Sequence, residues 1–257
     1  MSNETITVVE PGFRLLTPVS WIEQYPTLLE TCGRVCYKSE GKATSESAEK
    51  FIRALVKSGH ESVIEHMAIT VAITCDRACS HQIVRHRLGA YSQESQRYCD
   101  YGKLGFQVIC PPSVAKLVPG EYAPTEVDEP CLPGWRLIQR PPTHGIIHDR
   151  RTVLWLNRMS ASYNAYLLLR KEGIKPEDAR SVLPNATKTE VVTTFNLRQW
   201  RHVFQERALN AHAQWQIREI MGSILRQFSE LLPCVFYDQA LELDPSLALK
   251  TSPFASE

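Results

Sequence analysis

The densest set of hydrogen-bonding groups in the chain is Arg85-His86-Arg87 followed, past Leu88 and Gly89, by Ala90-Tyr91-Ser92-Gln93-Glu94-Ser95-Gln96-Arg97. A guanidinium holds a phosphate through two parallel charge-assisted hydrogen bonds, and serine hydroxyls with the amides of a turn complete such a cradle. The segment is a candidate anion pocket, although composition alone favours a solvated basic turn. Arg207 is the second candidate. On a helix over 198–209 it shares a face with Trp200, Val203 and Phe204, and burying an unpaired guanidinium costs roughly several kcal/mol. It needs a carboxylate, a carbonyl or an anionic ligand; a structural ion pair or a snorkelling stem satisfies it equally. Arg198 and His202, one turn apart, give the same helix a polar face.

Other chemistries find less support. His60, Glu65 and His66 read H-x-x-x-x-E-H rather than the H-E-x-x-H of a zinc helix, and histidines six apart do not share a helical face. No metal site is expected. There is no G-x-S-x-G elbow for a serine nucleophile. The eight cysteines include no C-x-x-C pair; Cys32/Cys36 and Cys75/Cys79 stand at helical spacing, and Cys110, Cys131 and Cys234 lie beside prolines as packing residues. Free thiols are expected. Neither G-x-G-x-x-G nor G-x-x-x-x-G-K-[ST] occurs, so a bound nucleotide must be held by arginines.

The elements that must position these groups follow from periodicity. Residues 19–37 read as a helix interrupted near Pro26, and a second helix capped at Thr44 or Ser45 buries Phe51, Ile52, Leu55 and Val56 and stops near Gly59. Residues 66–75 alternate as a strand, with Met67, Ile69, Val71, Ile73 and Cys75 on one side. A short helix over 77–86 leads into the arginine cluster. Prolines and glycines crowd 111–145, which reads as a long loop or insertion at about 115–145. A helix over 147–172, a short helix opened by Pro176, a strand over 189–197 and two closing helices, the last over 210–231, complete the pattern. The fold class expected is α/β (α+β), a central mostly antiparallel sheet flanked by helices, with a long helical segment in the C-terminal half, in a single domain over 1–257.

Composition bounds the partners. The chain has 257 residues, 43% hydrophobic and 22% charged, with 29 basic residues against 28 acidic and a net charge of +1. Such a balance supplies no global field to draw in nucleic acid or an anionic membrane. No apolar run approaches the roughly 20 residues that span a bilayer, and the start, MSNETITVVEPGF, lacks a signal-peptide pattern. A cytoplasmic protein is expected.

The run RHRLGAYSQESQRY resembles the signature of the flavin-dependent thymidylate synthases: R-H-R, seven residues, then the serine that is Ser95 here. HESVIEH, SHQIVRHR, ARSVLP, the segment through Asn196 and Arg198, Arg207 and AHAQWQIR continue the likeness over about residues 28–232. The resemblance implies that Arg85, His86 and Arg87 grip FAD, joined by Ser62, Gln93, Asn196, Arg198 and His202. It implies that dUMP is held by Gln82, Ile83, Val84 and Arg85, by Gln93, Glu94, Ser95, Gln96 and Arg97, and by Arg180. Arg207 matches the arginine that contacts the uracil and favours its ionised form. Ala90 stands where the family commonly has serine, and Gln93 where it often has glutamate.

On the same likeness, NADPH reduces FAD, methylenetetrahydrofolate donates the one-carbon unit, dUMP becomes dTMP, and the enzyme is a homotetramer with flavin sites at subunit interfaces. Two alternatives stand beside it. A related flavin and folate enzyme would leave a different one-carbon group on dUMP. A single-stranded nucleic-acid binding module would use the R-H-R turn with stacking aromatics, against which the near-neutral charge argues.

Overall fold

The computed structural model describes residues 5–124, 135–137, 147 and 149–246. In chain order the elements are β1 (Ile6–Val8), β2 (Gly12–Leu15), α1 (Val19–Ile22), α2 (Tyr25–Tyr37), α3 (Ser47–Lys57), β3 (Ala68–Asp76), α4 (Arg77–Ile83), β4 (Ala90–Gln93), α5 (Tyr101–Leu104), β5 (Gln107–Val108), β6 (Gly120–Pro124), β7 (Trp135–Leu137), α6 (Arg150–Lys171), α7 (Pro176–Ala179), β8 (Lys188–Asn196), α8 (Leu197–Phe204), α9 (Trp215–Leu231) and α10 (Pro233–Leu243). This is the α/β class the periodicity indicates, its strands divided between two four-stranded sheets. The chain forms two compact units, one of residues 1–11, 74–81 and 93–191, the other of 12–73, 82–92 and 192–257.

The first unit carries the sheet β5-β1-β6-β7, in which β1 runs parallel to β5 and antiparallel to β6, and β6 antiparallel to β7. Its core joins Ile6, Val8, Phe106, Val108 and Tyr122 to Leu156, Tyr163 and Tyr166 of α6. The rings of Phe106 and Tyr163 stack at 4.9 Å. Asp149 caps α6, accepting from the Thr152 amide at 3.0 Å, and Gly173, at φ +83°, takes the left-handed conformation that stops it. The stretch read as a loop contributes β6 and β7. Only Tyr122 of β6 is fully buried, opposite Ile6, so a five-residue strand that follows one proline and ends in another shows one large buried residue and no legible alternation.

The second unit is built on the sheet β2-β3-β8-β4, where β3 enters from one end of the chain and β8 from the other. On β3, Ile69, Val71 and Ile73 are fully buried, and β8 buries alternate residues, Thr193 and Phe195 within this unit. Trp200 of α8 anchors the core: its indole N–H donates to the Ile69 carbonyl at 3.0 Å, and its rings meet Phe195, Phe204 and Phe228. A buried indole that keeps its hydrogen bond contributes its whole apolar area without stranding a polar group.

The expected break near Pro26 is there: α1 ends at Ile22 and α2 begins at Tyr25, with Pro26 in its first turn, where its missing N–H costs nothing. Two expectations change in this unit. The last periodic helix begins at Trp215 rather than 210, because the Gln214 side chain accepts the amides of Gln216 and Ile217 and opens α9 there. A further helix, α10, follows immediately; Pro233 starts it, and Val235, Phe236 and Ala240 are buried. Among the described residues no helix is long and apolar enough to cross a membrane.

Candidate active site

α8 is positioned by its own sequence. Asn196 ends β8 and its Oδ1 accepts the Gln199 amide at 2.8 Å, so strand passes into helix without an intervening loop. Leu197, Trp200, Val203 and Phe204 turn to the core, leaving Arg198, Arg201, His202 and Gln205 beside a pocket of about 790 Å³. That volume suits a ligand of cofactor size. Glu61 and Glu65, from the short helical turn before β3, and Leu88, next after the arginine cluster, line the same pocket.

Its electrostatics are layered. Arg201 is deeply placed and bidentate to Asp238 of α10, at 2.8 and 2.7 Å, with Nε on Glu61 at 2.9 Å. Burial alone pushes the Asp238 carboxyl up, but the fork-to-fork bonds with Arg201 outweigh it and hold the carboxyl below its usual range. Arg201 is structural cement between α8 and α10. Arg198 is exposed, and its guanidinium pairs with Glu65 and lies 3.8 Å from Glu61. Asn196 has its carbonyl committed to the cap, so the group it offers a ligand is its amide NH2.

Arg207 is not on a continuous α-helix. Residues Gln205–Leu209 form a π-helical turn, which shifts the phase by one residue and leaves Arg207 half-buried rather than on the apolar face with Trp200. Its partner among the described residues is an imidazole: Nε donates to Nε2 of His86 at 3.1 Å. His86 is 7% exposed. Burial, then the charges of Arg207 and His202, push its pKa down to about 4, against an opposing pull from Glu206. The ring is neutral at ordinary pH, with its proton on Nδ1 so that Nε2 can accept. The His202 ring stands edge-on to it at 6.0 Å.

The R-H-R turn is shaped from behind. The Tyr91 hydroxyl donates to the carbonyls of His86 and of Ile83, the latter at 3.1 Å, tying β4 to the end of α4. Burial pushes that hydroxyl up to about 12, so it remains a donor. Gly89 lies so close to Phe195 that a β-carbon there would fall 2.2 Å from the ring. The Arg85 and Arg87 side chains are exposed, and among the described residues no carboxylate or carbonyl accepts from their guanidiniums. Gln82 and Val84 are half-buried, Ile83 is fully buried, and Ser62 is exposed on the turn that carries Glu61 and Glu65.

The remaining expected residues belong to the first unit. Gln93 donates to the hydroxyls of Ser80 and Thr189 at 2.9 and 3.3 Å. Glu94 is spent internally, accepting from Tyr101 at 2.9 Å and Lys188 at 3.1 Å. Burial and then the Glu94 charge push the Tyr101 hydroxyl above its ordinary range. The Ser95 hydroxyl accepts the Arg97 amide at 3.3 Å, which folds the turn in which half-buried Gln96 sits. Arg97 pairs with Glu177 at 3.0 Å and stands over the Tyr98 ring, and Arg180 donates to the Glu177 carbonyl at 3.0 Å.

The sequence reading weighed Glu61 and Glu65 only within the rejected zinc pattern and did not take up Arg201. The spacing held a clue: Glu61 and Glu65 stand four apart, and Arg201 follows Arg198 by one turn. Gln239 was missed as well, since it belongs to the unread helix α10.

The fold defines the class: an α/β protein of the same architecture as the UMP/dUMP methylase PolB from Streptomyces cacaoi, solved with 5-Br UMP, which superposes at a TM-score of 0.61 over 92% of this chain and 96% of that one at 20% identity. Sequence narrows it. The family profile described as thymidylate synthase complementing protein matches residues 19–234. The flavin-dependent thymidylate synthase of Geobacter sulfurreducens is 34% identical over 80% of this chain and 78% of its own length, and that of Mycobacterium tuberculosis 33% over 90% and 87%. The chain belongs to the flavin-dependent thymidylate synthase family.

Proposed function

We propose that this protein converts dUMP to dTMP, using methylenetetrahydrofolate as the one-carbon donor, FAD as the hydride carrier and NADPH as the reductant. The observation that carries the reading is the pairing of Arg207 with a buried neutral His86 inside the family's signature, beside the pocket edged by Asn196, Arg198 and His202. The donor chemistry there fits a flavin nucleotide. Arg198, His202 and the Asn196 amide are donors at the pocket wall, and Arg85 and Arg87 carry guanidiniums that no described acceptor has claimed. With Ser62 and Gln93 these are the residues we assign to FAD. When bound, FAD supplies the hydride that completes the methyl group.

The chain's own task is electrostatic. Carbon 5 of uracil is a weak nucleophile, and its reactivity rises as negative charge is drawn onto the pyrimidine. Arg207 places a cation where that charge develops and contributes on the order of 3 kcal/mol, as preorganised donors in other sites do. Half-burial strengthens it by limiting competing water. Gln82–Arg85, Gln93–Arg97 and Arg180 are assigned to dUMP by the family likeness, with Glu94 acting through its hold on Lys188 and Tyr101. We further assign the chain to a homotetramer in the cytoplasm, where charged nucleotides and folates are handled.

The deciding experiment is tritium release from carbon 5 of labelled dUMP, with FAD, NADPH and methylenetetrahydrofolate each omitted in turn. Release that requires all three, with a product mass of a methyl adduct, is expected. A hydroxymethyl mass would transfer the reading to the related enzyme, and retention of tritium by flavin-loaded protein would overturn dUMP as the substrate.

A further inference from the structure

His86 sits in the signature that the family likeness gives to the flavin, yet in this chain one of its two ring nitrogens is already engaged. Nε2 accepts from Arg207 Nε at 3.1 Å. We propose that His86 is a positioning residue for Arg207: it fixes the guanidinium by accepting at Nε, so that the NH1 and NH2 edge is presented to the pyrimidine. The inference rests on the reading of Arg207 as the uracil-facing arginine.

Three observations make the contact a device rather than a chance approach. Arg207 is carried by a π-helical turn, Gln205–Leu209, which sets its Cα–Cβ direction out of the α-helical phase and leaves the end of the long side chain to be fixed by a partner. His86 is itself immobilised: it is buried, and its backbone carbonyl accepts the Tyr91 hydroxyl, which also binds the Ile83 carbonyl. The acceptor is also chemically suited. A neutral imidazole orients a guanidinium without neutralising it, whereas a carboxylate at the same place would cancel the charge that the reaction needs. His202 and Glu206 face the same ring but are not hydrogen-bonded to it. With Nε2 committed, Nδ1–H is the one polar ring atom left for a cofactor, so the histidine links the two sites.

The test uses the FAD-loaded protein and titration calorimetry with dUMP. His86→Leu removes the acceptor; His86→Gln restores one near the Nε2 position. At saturating FAD, with any loss of flavin affinity from the missing Nδ1–H measured separately, the leucine variant is expected to keep its far-ultraviolet spectrum while dUMP affinity falls about tenfold, the usual scale for losing a hydrogen bond to a charged group. Glutamine should recover most of it. In an Arg207→Ala background, adding His86→Leu should weaken dUMP no further, since coupled residues are non-additive. Unchanged dUMP affinity in the leucine variant, or full additivity with Arg207→Ala, overturns the proposal. Loss of flavin with no separate effect on dUMP overturns it too, returning His86 to the cofactor alone. Failure of wild-type protein to bind dUMP would instead sink the proposed function.

Discussion

At the scale of single residues, the site is a set of cations whose partners differ in kind. Arg201 is locked by Asp238 and Glu61, Arg207 is steered by a neutral ring, Arg198 is held loosely by Glu65, and Arg85 and Arg87 are unclaimed among the described residues. Glu65 therefore competes with any anion for Arg198. Both groups are exposed, and exposed pairs are weak. Glu65→Gln should tighten FAD a few-fold, most clearly at low salt, in a fluorescence titration; weaker binding would show that Glu65 helps hold the ligand. His86 sets a pH dependence. Its pKa is about 4 in the folded chain against 6.5 ordinarily, so the unfolded chain takes up a proton first as pH falls. Its contribution is complete above about pH 6.5 and is lost between there and pH 4, on the order of 2 kcal/mol after allowance for water at the pocket side. Urea unfolding at pH 7 and pH 4.5 should show this loss in wild type and not in His86→Gln. An equal loss in both would assign it to other groups.

At the scale of elements, what the sequence shows is what one element decides for itself. β3, β8 and α8 were legible because alternation or helical spacing runs unbroken through them, and the arginine cluster was legible by its charge density. What was not legible depends on two elements at once. The π-turn under Arg207 leaves no local mark, β6 has a single buried residue whose meaning comes from β1, and α10 is short and follows Leu232 so closely that α9 conceals it. The sequence reading offers the arginine a carboxylate, a carbonyl or an anionic ligand as its partner; the imidazole of His86 is none of these, and that choice is set by a fold that brings residues 121 positions apart together. Gly89 is a further case. It reads as a turn residue, yet its necessity comes from Phe195, which leaves no room for a β-carbon. Gly89→Ala should cost about 1–3 kcal/mol by forcing that ring aside, and Phe195 packs on Trp200 and Tyr91, which holds the His86 carbonyl. Thermal melting should reveal the loss, accompanied by weaker dUMP binding. An unaltered melting temperature would mean that the turn moves and the ring does not.

At the scale of the whole molecule, the question is whether one chain makes a complete site. Ser62, Arg85 and Arg87 are all exposed, and the two arginines find no acceptor among the described residues, although exposed guanidiniums around a signature turn are available to a ligand that another subunit helps to cover. Other residues fit the same picture. Leu88 is 75% exposed and Tyr98 79% exposed, each next to a residue assigned to binding, so both side chains are open to contact with a second subunit. A homotetramer with shared flavin sites, the assembly proposed above, makes a definite prediction about dilution. If each flavin is enclosed by more than one chain, flavin release must follow subunit dissociation, because ligand binding and assembly are then linked. Sedimentation velocity recorded at both protein and flavin wavelengths over a hundredfold or so of dilution should show the flavin signal leaving the sedimenting boundary as tetramer gives way to smaller species, and added FAD should shift that dissociation to lower protein concentration. Flavin that stays with a monomer through the whole range would mean that the pocket beside α8 suffices by itself and that Arg85 and Arg87 serve their own chain.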